Sequence, residues 1–235
     1  MKKHIPNFIT SLNLTSGFTA VILAAGGNIV AASWFIVAAM VFDFLDGFSA
    51  RMLKAYSAIG KELDSLADVV SFGVAPAIII YNFLTTGSSE SSFKIAGADI
   101  MILVAALMPV CAALRLAVFN LDESQTTSFK GLATPANAIA VISLVIAGHY
   151  SESEFILSIT GNKLITSLLT IALSLLMVSR LELFSLKISD LRLKGNEGRY
   201  LMLVLIAVSF AILGMSAAAL IIPIYIVSSL VSGLF

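Results

Sequence analysis

The run Ile29-Val-Ala-Ala-Ser-Trp34-Phe-Ile-Val-Ala-Ala-Met40-Val-Phe-Asp43-Phe-Leu-Asp46-Gly47-Phe-Ser-Ala50-Arg51 is apolar over most of its length and carries two carboxylates near one end. A helix of about 20 mainly apolar residues crosses roughly 30 Å of hydrocarbon, and residues 29–50 supply one. An acid within such a span costs roughly 3 kcal/mol, so its presence marks function by default. Just beyond, Gly60-Lys-Glu-Leu-Asp64-Ser-Leu-Ala-Asp68 opens a second apolar run with two more acids.

The same composition extends along the chain. Of 235 residues, 59% are hydrophobic and 12% charged, about half the charge of a soluble domain, and the mean hydropathy is +1.01. Eight apolar runs occupy about 8–25, 29–50, 62–84, 98–120, 134–149, 156–179, 200–214 and 216–234. Their continuity, without period-two alternation, selects helices over a barrel. The expected fold is an all-α membrane protein, a polytopic helical bundle of about eight (six to eight) transmembrane helices forming one integral-membrane domain over 1–235. Gly214 and Met215-Ser216 leave the last two runs a tight connection, open to a re-entrant hairpin. Met1-Lys2-Lys3-His4 and the apolar stretch after it lack a small-residue cleavage site, so the first span is expected to be retained.

Charge sets the expected orientation. With a cytoplasmic N-terminus, twelve basic residues fall inside, among them Arg51, Lys54, Lys61, Arg115, Lys130, Arg180 and Arg199, against Lys94 and Lys163 outside. This bias places both termini and the acidic helix ends on the cytoplasmic side of the cell membrane. The basic 180–199 segment reads as a topology determinant near anionic lipid. A net charge of zero argues against a nucleic-acid partner, and the single Cys111 excludes disulfides and cysteine metal sites.

Spacing gives the acids a geometry. Asp43, Asp46, Gly47 and Ala50 lie at i, i+3, i+4 and i+7; Gly60, Asp64 and Asp68 lie at i, i+4 and i+8. Each set occupies one helix face, and the eight residues between Arg51 and Gly60 let the faces meet. Four converging carboxylates repel unless a cation lies among them, and oxygen-only ligands select a hard divalent ion such as magnesium or manganese. The small residues clear space for a flat base or a phosphate close to backbone. Ion pairing with Arg51, Lys54 and Lys61 would leave those small residues unexplained, and an ion pathway would need acids at several depths.

At these residues the sequence resembles the CDP-alcohol phosphotransferase family, whose signature D-x2-D-G-x2-A-R-x8-G-x3-D-x3-D is met by Asp43, Asp46, Gly47, Ala50, Arg51, Gly60, Asp64 and Asp68. The resemblance implies two divalent metals held by Asp43, Asp46, Asp64 and Asp68, with Asp68 also the general base on an acceptor hydroxyl. It implies that Asp46, Gly47, Ala50, Arg51 and Gly60 receive the cytidine nucleotide. The segment Ile5-Pro6-Asn7 to Gly17 is similar to the N-terminal stretch of the bacterial members that use serine, which adds Asn7, Thr10 and Asn13 to the nucleotide set.

Two further stretches resemble those members: Arg115-Leu-Ala-Val-Phe-Asn120, and Phe129-Lys130 through Thr134-Pro135-Ala136-Asn137. They imply an acceptor site of Arg115, Asn120, Lys130, Thr134 and Asn137. Val118 and Ala133 depart from the expected pattern, at positions where a basic residue and a proline are common. The implied partners are CDP-diacylglycerol, L-serine and membrane lipid, and the implied assembly is a homodimer. Glycerol 3-phosphate or an inositol phosphate is the alternative acceptor. A cation-coupled transporter is the alternative of another class. Beyond about residue 140 the sequence yields no chemical signal.

Overall fold

The computed structural model describes residues 4–85, 94–95, 98–99, 101–121, 128–151, 154–184 and 196–232. Helices α1 (His4–Ala25) and α2 (Ile29–Met52) form an antiparallel pair joined at Gly26-Gly27-Asn28. The Asn28 side chain accepts from the Ala31 N–H and caps α2. Then come α3 (Ala58–Asp68), a π-helical segment (Val69–Val74) and α4 (Ala75–Thr85), which together make one membrane-length run. The remaining helices are α5 (Met101–Leu121), α6 (Thr134–Ser151), α7 (Glu154–Gly161), α8 (Lys163–Val178), α9 (Glu197–Leu213) and α10 (Ile221–Ser232).

Among the described residues five helical runs are long and apolar enough to cross a membrane, and α8 is a shorter apolar helix. The last run, 197–232, doubles back on itself. A Cβ on Gly198 would lie 2.5 Å from the Ser232 Cβ, so the start of α9 sits beside the end of α10. Gly214, at φ +56°, turns the chain into a 3-10 segment (Gly214–Leu220) that leads to α10. The chain is a multi-pass helical membrane bundle, as its apolar runs predict. Large apolar side chains such as Phe8, Phe18, Phe44, Leu103 and Ile212 face outward, where lipid rather than water is their solvent.

Inside, small side chains let helices approach closely. The buried stripe of α1 is Pro6, Thr10, Asn13, Gly17, Ala20 and Ala24, spaced alternately four and three residues apart, which keeps it on one face. A Cβ on Gly17 would fall 2.1 Å from Ser71 Oγ and 2.7 Å from Ser71 Cα. Only glycine admits that approach of α1 to the π segment.

Two local features depart from uninterrupted spans. The run expected at 156–179 is broken at Asn162, whose side chain accepts from the N–H groups of Leu164 and Ile165 and caps α8. The run expected at 62–84 contains the π segment. There the Ala75 N–H bonds Val70 O, five residues back. Pro76 has no N–H for the Phe72 carbonyl, and its ring needs room there; a widened turn provides that room.

Two antiparallel ribbons complete the described residues: β1 (Lys94–Ile95) with β2 (Ala98–Asp99), and β3 (Ser128–Lys130) with β4 (Glu182–Phe184). Residues 86–93 and most of the basic segment, 185–195, lie outside the described residues.

Candidate active site

The helix ends of α2 and α3 meet as their spacing requires. Leu53 closes α2, with its N–H on Ser49 O, and Lys54 takes a left-handed conformation at φ 49°. Ser57 then starts α3, its hydroxyl accepting from the Gly60 N–H at 3.0 Å. Across this turn Asp43, Asp64 and Asp68 each offer a carboxylate oxygen within 4.8 Å of the others. Carboxyl groups this close repel unless a proton or a cation neutralises them.

Asp46 is placed differently from the other three. At 100° per residue, three positions rotate it about 60° off Asp43, and it lies beside the triad rather than within it. It is buried, Thr10 sits against its carboxylate, and Asp64 and Asp68 remain within electrostatic range.

The donor set suits a hard divalent cation. It is made of carboxylates, and Asp46 Oδ2 and Asp64 Oδ1 are buried with no hydrogen-bond partner among the described residues. Such oxygens are costly to leave unsatisfied, and a bound cation would satisfy them.

Next to the acids lies a cavity of ≈ 250 Å³. Asn7 and Thr10 of α1, Asp46, Gly47, Ala50 and Arg51 of α2, and Gly60 and Asp64 of α3 all line it. The glycines serve it in different ways. A Cβ on Gly47 would meet nothing within 4 Å, so that face is open. A Cβ on Gly60 would lie 2.8 Å from Asn7 Oδ1, so Gly60 makes room for Asn7 itself. Asn13 does not line this cavity; its Nδ2 donates to Asp68 Oδ1 at 3.4 Å. Tyr56 and Lys61 also border the space, and sequence spacing gave no reason to select either.

A second cavity, ≈ 570 Å³, opens between α5 and the end of α8. Arg115 and Lys130 line it together, and so does Arg180. Arg115 Nε is buried without a hydrogen-bond partner among the described residues, and its charge lies within electrostatic range of Asp68 and Tyr225. Arg180 was legible in the sequence only as one of twelve inward cations.

The other expected acceptor residues lie elsewhere. Asn120 donates to Ser65 Oγ at 2.8 Å and its carbonyl accepts from Lys61 Nζ at 2.9 Å, which ties α5 to α3. Thr134 and Asn137 are fully buried, and the Thr134 hydroxyl and both amide atoms of Asn137 have no partner among the described residues.

Comparison with known proteins decides the family. The profile described as CDP-alcohol phosphatidyltransferase matches residues 3–231. The chain belongs to the CDP-alcohol phosphatidyltransferase family. Among similar members, an archaetidylserine synthase of Methanothermobacter thermautotrophicus is 36% identical over 180 residues, 76% of this chain and 68% of the relative. A CDP-diacylglycerol–serine O-phosphatidyltransferase of Bacillus subtilis is 35% identical over 179 residues, 76% of this chain and 89% of the relative. One of Helicobacter pylori is 29% identical over 235 residues, 98% of this chain and 91% of the relative. The family signature falls on the helix ends that carry the acid triad and the smaller cavity.

Proposed function

We propose that this phosphatidyltransferase moves the phosphatidyl group of CDP-diacylglycerol to L-serine, giving phosphatidylserine and CMP. The observation that carries the reading is Arg115: it lines the larger cavity and stays within electrostatic range of Asp68. An acceptor held there by its carboxylate can present its hydroxyl to that aspartate. The names of the relatives from Bacillus subtilis and Helicobacter pylori support serine.

In this reading Asp68 takes the proton of the serine hydroxyl. The serine oxygen bonds to the phosphorus that bears diacylglycerol, and the bond from that phosphorus to the bridging oxygen breaks, releasing CMP. Asn7, Thr10, Asp46, Gly47, Ala50, Arg51 and Gly60 receive the nucleotide. Asn13 was expected to join them and instead supports Asp68. Asp43, Asp46, Asp64 and Asp68 would hold divalent metal, magnesium or manganese in two sites, and the metal would supply positive charge for the diphosphate and the departing CMP. Arg115 and Lys130 bind the acceptor. Asn120 braces α5, which carries Arg115, against α3, and Thr134 and Asn137 supply buried polar groups.

The whole chain acts as one membrane domain. Both termini and the active site face the cytoplasm, as the distribution of Lys and Arg supports. A homodimer follows from family resemblance.

Arg180 favours a second reading. A phosphate-bearing acceptor needs a denser basic pocket than a single carboxylate does, and Arg180 is a third cation at the larger cavity. The test is CMP release by purified protein with CDP-diacylglycerol and manganese or magnesium, comparing L-serine with glycerol 3-phosphate and inositol phosphate. Serine-dependent, chelator-sensitive release is expected. Release with a phosphate-bearing acceptor alone would select the second reading, and substrate movement in liposomes without CMP release would select transport.

A further inference from the structure

We infer that the C-terminal hairpin positions the acceptor pocket: Tyr225 and Ser229 of α10 clamp Phe184, and through it hold the strap that carries Lys130 and Arg180. The inference rests on reading the larger cavity as the acceptor site.

The clamp is made at one residue. The Phe184 N–H donates to Ser229 Oγ at 2.7 Å, and the Phe184 carbonyl accepts from the Tyr225 hydroxyl at 3.0 Å. Tyr225 and Ser229 are four residues apart, hence on one face of α10. They are 5% and 4% exposed. Hydroxyls in an apolar helix are costly to bury unless they bond, and both spend their bonds on the same backbone unit. The Tyr225 ring meets the Phe184 ring edge-on, centroids 5.3 Å apart, and the Arg199 guanidinium lies 5.7 Å from the centre of that ring. The start of α9 therefore grips the same residue.

From Phe184 the hold passes to the pocket. Phe184 ends β4, which pairs Ser128 with Phe184 and Lys130 with Glu182. The Gly131 N–H bonds Leu181 O at 2.8 Å, and the Leu132 N–H bonds Leu176 O at 2.9 Å. A Cβ on Gly131 would lie 2.5 Å from Met177 O, and its φ is +77°, so the strap lies flush against the end of α8. Lys130, Ser179 and Arg180 on these segments form one wall of the cavity, and Arg115 on α5 forms the other.

A two-stranded ribbon is marginal by itself. This one is anchored at its Gly131-Leu132 end by α8 and at its Phe184 end by α10. Tyr225 also lies within electrostatic range of Arg115. Tyr225 and Ser229 are positioning residues: they act on the acceptor through Lys130 and Arg180.

The test compares wild-type enzyme with Tyr225→Phe, Ser229→Ala and the double variant, each confirmed as folded by size-exclusion chromatography. Tyr225→Phe keeps the ring and removes only the hydroxyl. Each single change is expected to raise KM for serine about fivefold, the effect of one net hydrogen bond near 1 kcal/mol. KM for CDP-diacylglycerol and kcat at saturating serine stay within about twofold, and Ser229→Thr restores KM. Unchanged KM for serine, or equal loss in every constant, would overturn the clamp. Should wild-type enzyme turn over only another acceptor, the serine reading falls and the same comparison is made on that acceptor's KM. Hydrogen exchange decides independently of turnover: amides of 128–132 and 181–184 exchange faster in the variants if the clamp exists, and at wild-type rates if it does not.

Discussion

Asn13 Nδ2 donates to Asp68 Oδ1 at 3.4 Å, joining the buried face of α1 to the last acid of α3 across 55 residues of chain. The contact exists because Gly17, one turn further along α1, lets the helix settle on Ser71, whose hydroxyl in turn donates to Asn13 O at 3.2 Å. An amide donor occupies one oxygen of Asp68 and leaves the other for the hydroxyl in the proposed reaction. Asn13→Ala is expected to lower kcat about tenfold, the usual scale for losing a supporting partner of a catalytic or ligand group, with KM for the donor little changed. Steady-state CMP release measures both, and an unchanged kcat would remove Asn13 from the site.

Asp68→Asn tests the base itself. The substitution keeps shape and removes proton acceptance, so turnover should fall below one-thousandth, while binding of CDP-diacylglycerol, followed by calorimetry, persists. Full turnover in folded protein would sink the assignment.

Asp43→Asn and Asp64→Asn address the metal. Each removes a charge from a triad whose oxygens lie within 4.8 Å of one another. Manganese affinity measured by electron paramagnetic resonance should drop at least tenfold, and chelator should abolish turnover in the wild type. Tight manganese binding to the double variant would place the metal elsewhere.

Two glycines make a matched pair. A methyl at position 17 would enter Ser71, whereas one at position 47 meets nothing within 4 Å. Gly17→Ala should destabilise the fold by about 1–3 kcal/mol, the range for overpacking, read as a fall in thermal midpoint in detergent. Gly47→Ala should leave the midpoint in place and raise KM for CDP-diacylglycerol, because the open face is then filled. Equal midpoints for the two variants would contradict the packing described.

Arg180→Gln probes the larger cavity. Loss of a charge-assisted contact is worth about 1.5–3 kcal/mol, so KM for the acceptor should rise by more than tenfold while donor KM holds. A KM for serine that does not move, with activity toward a phosphate-bearing acceptor lost, would reassign the pocket.

The acid site was legible in the sequence because its chemistry is local. Asp43, Asp46, Asp64 and Asp68 sit at helical spacings on two neighbouring helix ends, so period and chain proximity bring them together without knowledge of the rest. Apolar run length likewise yields the helices. The π segment escapes such reading because hydropathy does not register hydrogen-bond period; only Pro76, four residues beyond Phe72, hints at it. Asn162 hides as one polar residue in an apolar run until its capping bonds appear. Arg180 and Tyr225 are separated from Arg115 by 65 and 110 positions. Nothing periodic links them, and only tertiary packing makes them neighbours.

The π segment leaves one helix with two phases. An α-helix advances 100° per residue, so the wider turn at 69–74 offsets the azimuth of everything after it from everything before. Asp64 and Asp68 can point at the acid cluster while Ile79, Ile80 and Leu84 point into the apolar core, although a uniform α-helix would tie those two directions together. Were the turn at 69–74 to relax to α with every residue kept, the acids would swing about 100° relative to α4. A helix straightened in that way would keep its membrane insertion and its core and still lose the convergence of the carboxylates, whereas removing one residue from the turn as it becomes α would leave both faces aligned. The segment works as a coupling joint between an anchored half and an aimed half of the same span.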